Sequence, residues 1–186
     1  MTDAPAQTSA QTSAQTPAQI PAVLVVMGVS GSGKTTIAAL LAGRLGWEFG
    51  DGDDFHPPAN VAKMHGGTPL TDEDRWPWLH AMAAWVDATR GGGRHGVLAC
   101  SALKRAYRDI LVANRPDVRL VYLQGSKALI GQRQAARQGH FMPPGLLDSQ
   151  FAALEEPSPD ENPLVASVKP RPADVVRDVV AQLGLP

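Results

Sequence analysis

The sequence predicts an α/β fold, a five-stranded parallel sheet with helices on both faces, and three observations predict it. Apolar runs of strand length alternate with longer stretches of helical pattern along most of the 186 residues. The first run passes into a helix through a turn of glycine and serine that ends in lysine and threonine. Several runs are apolar throughout rather than alternating, as strands covered on both faces require.

Residues 1–20, "MTDAPAQTSAQTSAQTPAQI", repeat Ala-Gln-Thr-Ser and hold no aromatic or basic residue. They offer little to bury and are expected to be a disordered tail. They also lack the basic start and apolar middle of a secretory signal and the arginines of a transit peptide. Residues 21–186 are expected to form a single domain. Its strands read as Ala22–Gly28, Trp47–Asp51, Gly96–Ala102, Val118–Gly125 and Pro163–Val168. The helices read as Lys34–Leu45, Pro58–Met64, Asp72–Thr89, Lys104–Ala113, Ser126–Gln138, Pro144–Leu154 and Pro172–Leu183. With right-handed crossovers this order gives a doubly wound sheet whose ligand lies at the carboxyl ends of the strands. Two segments, His56–Trp76 and Ala136–Gly145, are punctuated by proline and glycine. They are either surface loops or closing segments that exclude water from a bound substrate and nucleotide.

Composition narrows the function classes. Lys and Arg number 17 against 18 Asp and Glu, so no net positive field recruits nucleic acid or anionic lipid. No apolar run approaches the roughly 20 residues of a membrane helix. Cys100 is the only cysteine, which excludes an internal disulfide and fits a reducing compartment. The cytoplasm is the expected location.

The turn after the first strand, "GVSGSGKTT", matches G-x-x-x-x-G-K-[ST] at Gly28, Gly33, Lys34 and Thr35. Backbone N–H groups of Gly28, Val29, Ser30, Gly31, Ser32, Gly33, Lys34, Thr35 and Thr36 can surround an anion there, helped by the positive end of the following helix. Lys34 is expected on the β and γ phosphates of ATP and the Thr35 hydroxyl on Mg2+. The third strand ends in Cys100-Ser101 without the aspartate that many such proteins place there, and Asp51 is the nearest substitute as a metal ligand.

Asp51 and Asp53 leave the second strand at the same sheet edge as this loop. Phosphoryl transfer needs one carboxylate near the metal and another to orient or deprotonate the attacking hydroxyl, roles that suit Asp51 and Asp53. Asp-Gly-Asp also forms turns without any such role. Lys63, Arg75 and Lys104 suit an anionic substrate, and Arg133 and Arg137, four apart on one helix face, suit the moving phosphoryl charge. All five also read as solvated surface, as do Arg90, Arg94 and Arg105. His56 either caps its loop or contacts a ligand. Trp76, Trp78 and Trp85 read as packing residues of the long helix.

Taken together, "MGVSGSGKTT", "DGDDFHPPANVAKMHGGTPLTDEDRWPWL", "CSALKRAYRD", "VYLQG" and "RQAARQGHFMPPGLLDSQFAALEEP" resemble the gluconokinase family over Val23 to about Val180. The resemblance implies a three-layer P-loop kinase fold with a mobile lid near residues 133–145, similar to shikimate and nucleoside monophosphate kinases. It implies ATP phosphates at Gly28–Thr36 and D-gluconate near Asp53, His56, Lys63, Arg75 and Lys104. It further implies a lid bearing Arg133, Arg137 and His140, and a homodimer. Shikimate or a nucleotide is the rival substrate. A nucleotide-dependent switch is disfavoured: no D-x-x-G occurs, and "NRPD" at Asn114–Asp117 precedes a strand instead of following one.

Overall fold

The structure, a computed structural model, describes residues 20–136 and 146–185. The expected tail therefore lies almost wholly outside the described residues, as do Arg137, His140 and most of the expected lid.

All five predicted strands are present: β1 Val23–Met27, β2 Glu48–Asp51, β3 Gly96–Ala99, β4 Val118–Gln124 and β5 Leu164–Ser167. They form one parallel sheet in the order β2-β3-β1-β4-β5. The strand that feeds the glycine-rich turn is therefore central, and the chain crosses to opposite sides of it, which opens a crevice at the carboxyl ends of β1 and β3. Every residue of β1 is buried, as its unbroken apolar run requires.

Seven α-helices are found among the described residues: α1 Lys34–Leu45, α2 Pro58–His65, α3 Asp72–Gly91, α4 Arg105–Val112, α5 Lys127–Ala135, α6 Leu146–Ala153 and α7 Pro172–Gln182. Alternate residues of the strands face two cores. Leu24, Val26, Val97 and Val121 pack with Ile37 and Leu41 of α1 and Val176 and Val179 of α7. Val23, Val25, Leu98 and Leu120 pack on the other face with Leu79, Met82 and Val86 of α3 and Leu111 of α4. Each fully buried aliphatic side chain stabilises the fold by roughly 1.5–3 kcal/mol.

Local signals account for the helix bounds. α1 ends where Gly46 takes φ 67° and its N–H reaches the Ala42 carbonyl. α3 begins at a capping box: the Thr71 hydroxyl accepts from the Asp74 N–H, and the Asp74 carboxylate accepts from the Thr71 N–H. β3 stops at Ala99, three residues before its expected end, because the chain turns out of the sheet through Ala102 at φ 42° and delivers Lys104 to the start of α4. Trp78 is buried and Trp85 lies against Gly50 and Gly96, so both are packing residues as expected. Arg90, Arg94 and Arg105 sit at the surface in ion pairs with Asp117, Glu48 and Asp160, the kind of contact worth at most about 1 kcal/mol.

Candidate functional site

The loop after β1 is shaped by what its glycines permit. A Cβ on Gly28, at φ 148°, would lie 2.9 Å from the Ser32 hydroxyl and 3.0 Å from the Leu123 carbonyl. A Cβ on Gly31, at φ 81°, would overlap the Gln134 amide. Gln134 on α5 occupies that space and donates to the Ser30 carbonyl at 2.8 Å, while Gln150 on α6 accepts from the Ser30 N–H. These two glutamines fasten the loop to α5 and α6. Sequence reasoning passed over both, since a glutamine 104 or 120 residues away carries no local signal.

Inside the loop the Ser32 hydroxyl is buried without a hydrogen-bond partner among the described residues. Lys34 opens α1 and turns its ammonium back across the loop to the Val29 carbonyl at 3.1 Å. Burial pushes its pKa below the usual lysine value, against the attraction of Asp53 and Asp51 nearby. Cys100, also close to Lys34, is a neutral thiol, since burial pushes it up to about 12. An orphaned hydroxyl and a desolvated ammonium, set in a cradle too tight for side chains, fit a phosphate chain.

The β2 edge supplies the next part. Asp51 caps a short 3-10 turn, Gly52–Phe55, by accepting the Asp53 N–H at 3.1 Å. Asp-Gly-Asp therefore does form a turn, and that turn leaves Asp53 exposed. Trp78 clamps the turn from α3 by donating to the Gly52 carbonyl at 2.6 Å. The His56 ring stacks on Trp78 at 4.3 Å with 9° between planes. Burial lowers the His56 pKa, with the charge of Asp53 opposing the shift and that of Arg75 adding to it. His56 Nδ1 is buried without a partner among the described residues.

Beyond His56, four side chains from two helices and a loop converge. Lys104 donates to Asp72 Oδ2 at 2.6 Å, the Tyr107 hydroxyl donates to Oδ1, and Arg75 approaches Oδ1 at 3.4 Å. The Lys104 hydrogen bond, then that of Tyr107, holds the Asp72 carboxyl below the usual carboxylate range. Both cations also lie over the Tyr107 ring, Lys104 at 5.6 Å and Arg75 at 5.9 Å from its centre. Lys63 is engaged separately with Asp74 at 2.6 Å. The structure thus brings Arg75 and Lys104 together, pairs Lys63 separately with Asp74, and adds Asp72 and Tyr107, which sequence reasoning did not single out.

On the opposite side of the loop, a cavity of about 430 Å³ is lined by Gly31–Gly33 and Thr36, by Arg133 and by the 168–172 turn before α7. Arg133 donates to the Lys169 carbonyl at 3.2 Å. The structure therefore groups Arg133 with this cavity, whose lining does not include Asp53. Its expected companions Arg137 and His140 lie outside the described residues.

A parallel sheet in this strand order, with a phosphate loop closing its central strand and an acid at the end of the edge strand β2, defines a small P-loop kinase. A family profile described as an AAA domain matches residues 23–157. Gluconokinase of Gluconobacter oxydans is 48% identical over 157 residues, covering 84% of this chain and 88% of the relative. The crystal structure of a gluconokinase from Sinorhizobium meliloti superposes with a TM-score of 0.80 at 40% identity, covering 89% of this chain and 93% of that one. Shikimate kinase from Bacteroides thetaiotaomicron shares the fold alone, with a TM-score of 0.61 at 17% identity. The chain belongs to the gluconokinase family.

Proposed function

We propose that the protein transfers the γ-phosphoryl group of ATP to the terminal hydroxyl of D-gluconate, giving 6-phospho-D-gluconate and ADP. The observation that carries this reading is the run of charged and polar groups from the phosphate loop outward. Lys34 is flanked by Asp53, Asp53 acts on His56, and His56 lies within the field of Arg75, which shares Asp72 with Lys104. One end suits a triphosphate and a reacting alcohol, the other a carboxylate, as gluconate requires.

In this reading the loop amides and the Ser32 hydroxyl hold the phosphates, and the Lys34 ammonium turns from the Val29 carbonyl to oxygens of the β and γ groups. Its desolvated setting strengthens that contact relative to water. Asp53 accepts the hydroxyl proton as the new O–P bond forms and the bond between the γ phosphorus and its bridging oxygen breaks. Arg75 and Lys104 fix the substrate carboxylate and so orient the hydroxyl, with Lys63, His56 and His140 completing the substrate pocket. Arg133 and Arg137 stabilise the charge of the phosphoryl group as it moves. Thr35 and Asp51 would hold Mg2+, which when bound supplies neutralisation of phosphate charge. Positioning of this kind removes up to about 7–11 kcal/mol of barrier in well-oriented reactions.

A homodimer in the cytoplasm belongs to the same reading, with residues 21–186 as one domain. No helix among the described residues is long and apolar enough to cross a membrane. An ADP-release assay across sugar acids, shikimate and nucleoside monophosphates is the direct test. Turnover of gluconate is the expected result, and turnover of another acceptor in its place would overturn the assignment.

A further inference from the structure

The cations of the substrate end are not presented bare. Asp72 occupies the first helical position of α3, and its two oxygens are divided between Lys104 on one side and Tyr107 and Arg75 on the other. Lys63 is neutralised separately by Asp74. Two cations and one carboxylate leave the Arg75–Lys104–Asp72 cluster with a single positive charge, to which the Tyr107 hydroxyl, its pKa raised, and His56, its pKa lowered, add none. A pocket meant only to attract negative charge would omit Asp72, because its carboxylate repels any anion that reaches Lys104 and Arg75. About a third of each side chain in this set is accessible, so an entering ligand meets the carboxylate together with the cations.

From this arrangement we infer that Asp72 is a specificity-determining residue that limits the cluster to one net positive charge, matching a carboxylate and rejecting a phosphate dianion at that end of a six-carbon polyol. The inference rests on reading the cluster as the seat of the substrate carboxylate. The physical reason is a difference in slope. Changing the site by one unit of charge alters the energy of a dianion by twice as much as that of a monoanion at the same position. Misplacement of Lys104 or Arg75 would weaken the dianion more than the monoanion, the opposite of the shift that loss of the Asp72 charge produces. The ratio of their affinities therefore isolates charge from geometry, and rejection works by an installed repulsion rather than by a missing attraction. The discrimination has a use, since a phosphorylated polyol presents a similar hydroxylated chain and would otherwise compete for the site.

The experiment measures the KM for gluconate and the inhibition constant of glucitol 6-phosphate in the wild-type protein and in Asp72→Asn, Asp72→Glu and Arg75→Gln. Asp72→Asn is expected to shift the ratio about tenfold toward the phosphate ligand, the size of one charge interaction across a partly solvated pocket. Asp72→Glu is expected to keep the wild-type ratio, and Arg75→Gln to move it the opposite way. Asp72→Ser, with a residue at home in a first helical turn, replaces the asparagine variant if that protein does not fold. Parallel weakening of both ligands in the Asp72 variants would reduce Asp72 to a structural residue and overturn the inference. So would a ratio in Arg75→Gln that fails to move. Wild-type turnover of gluconate is the separate control: if it is present while the ratios stay put, this inference alone falls, and if it is absent, the functional reading beneath it falls as well.

Discussion

Two desolvated cations, Arg108 against the segment that follows α6 and Lys34 in the phosphate loop, are treated in opposite ways. Arg108 is 2% exposed, and its guanidinium is satisfied on every side. It pairs with both oxygens of Glu161 and donates to the carbonyls of Ala102, Leu103 and Glu155. Lys34 is desolvated too, yet among the described residues it meets one carbonyl and forms no ion pair with a carboxylate. The difference separates structure from function. A charge whose partners are all internal fastens the turn before α4 to the segment after α6. A charge held in a low-dielectric setting with its partners incomplete is poised for a ligand that supplies them.

Removing each cation should make that contrast plain. Lys34→Ala is expected to cost on the order of 10³ in kcat while leaving the melting temperature at or above that of the wild type, because a desolvated ammonium is removed along with its function. An activity loss that merely tracked a falling melting temperature would erase the distinction. Asp53→Asn should lower kcat by roughly 10²–10⁴ with ATP affinity unchanged by calorimetry, since a proton acceptor acts on the hydroxyl and not on the nucleotide. Turnover preserved in that variant would leave Asp53 as an orienting group at most.

Arg108→Met is the converse case. It leaves the Glu161 carboxylate buried without its partner and should cost about 3–5 kcal/mol in denaturant melts, because an isolated buried charge is far worse than a buried pair. A loss below about 1 kcal/mol would place Arg108 with the surface pairs.

The smallest expected effect is a pH dependence from His56. Its pKa in the folded protein lies below the usual value of 6.5, chiefly through burial, so in that window the unfolded chain binds more protons than the folded one. Stability from this group is complete above about 6.5 and declines as pH falls toward the lowered value. The slope between pH 7 and 5 should flatten in His56→Gln, and an unchanged slope would assign the effect elsewhere.

Much of this molecule was legible from local signals. α1 runs over the expected Lys34–Leu45, since glycines at both ends and an apolar face between them are properties of contiguous residues. The same holds for the parallel strands, whose apolar runs report burial on both faces, and for the phosphate loop, whose glycines mark close backbone approach. What stayed hidden was partnership at a distance. Nothing near Asp72 announces Lys104, which lies 32 residues on, and nothing near Arg108 announces Glu161, which lies 53 residues on. The two glutamines that hold Ser30 are of the same kind.

By itself the sequence determined the layers, the anion cradle, the lysine and the acid beside it, because steric and hydrophobic preferences act between chain neighbours and repeat with a period that can be read. The tertiary structure alone decided which charges are spent on one another and which are kept for a ligand. That outcome depends on distances of a few ångströms between remote segments and on how far each has been withdrawn from water, and neither quantity is written along the chain.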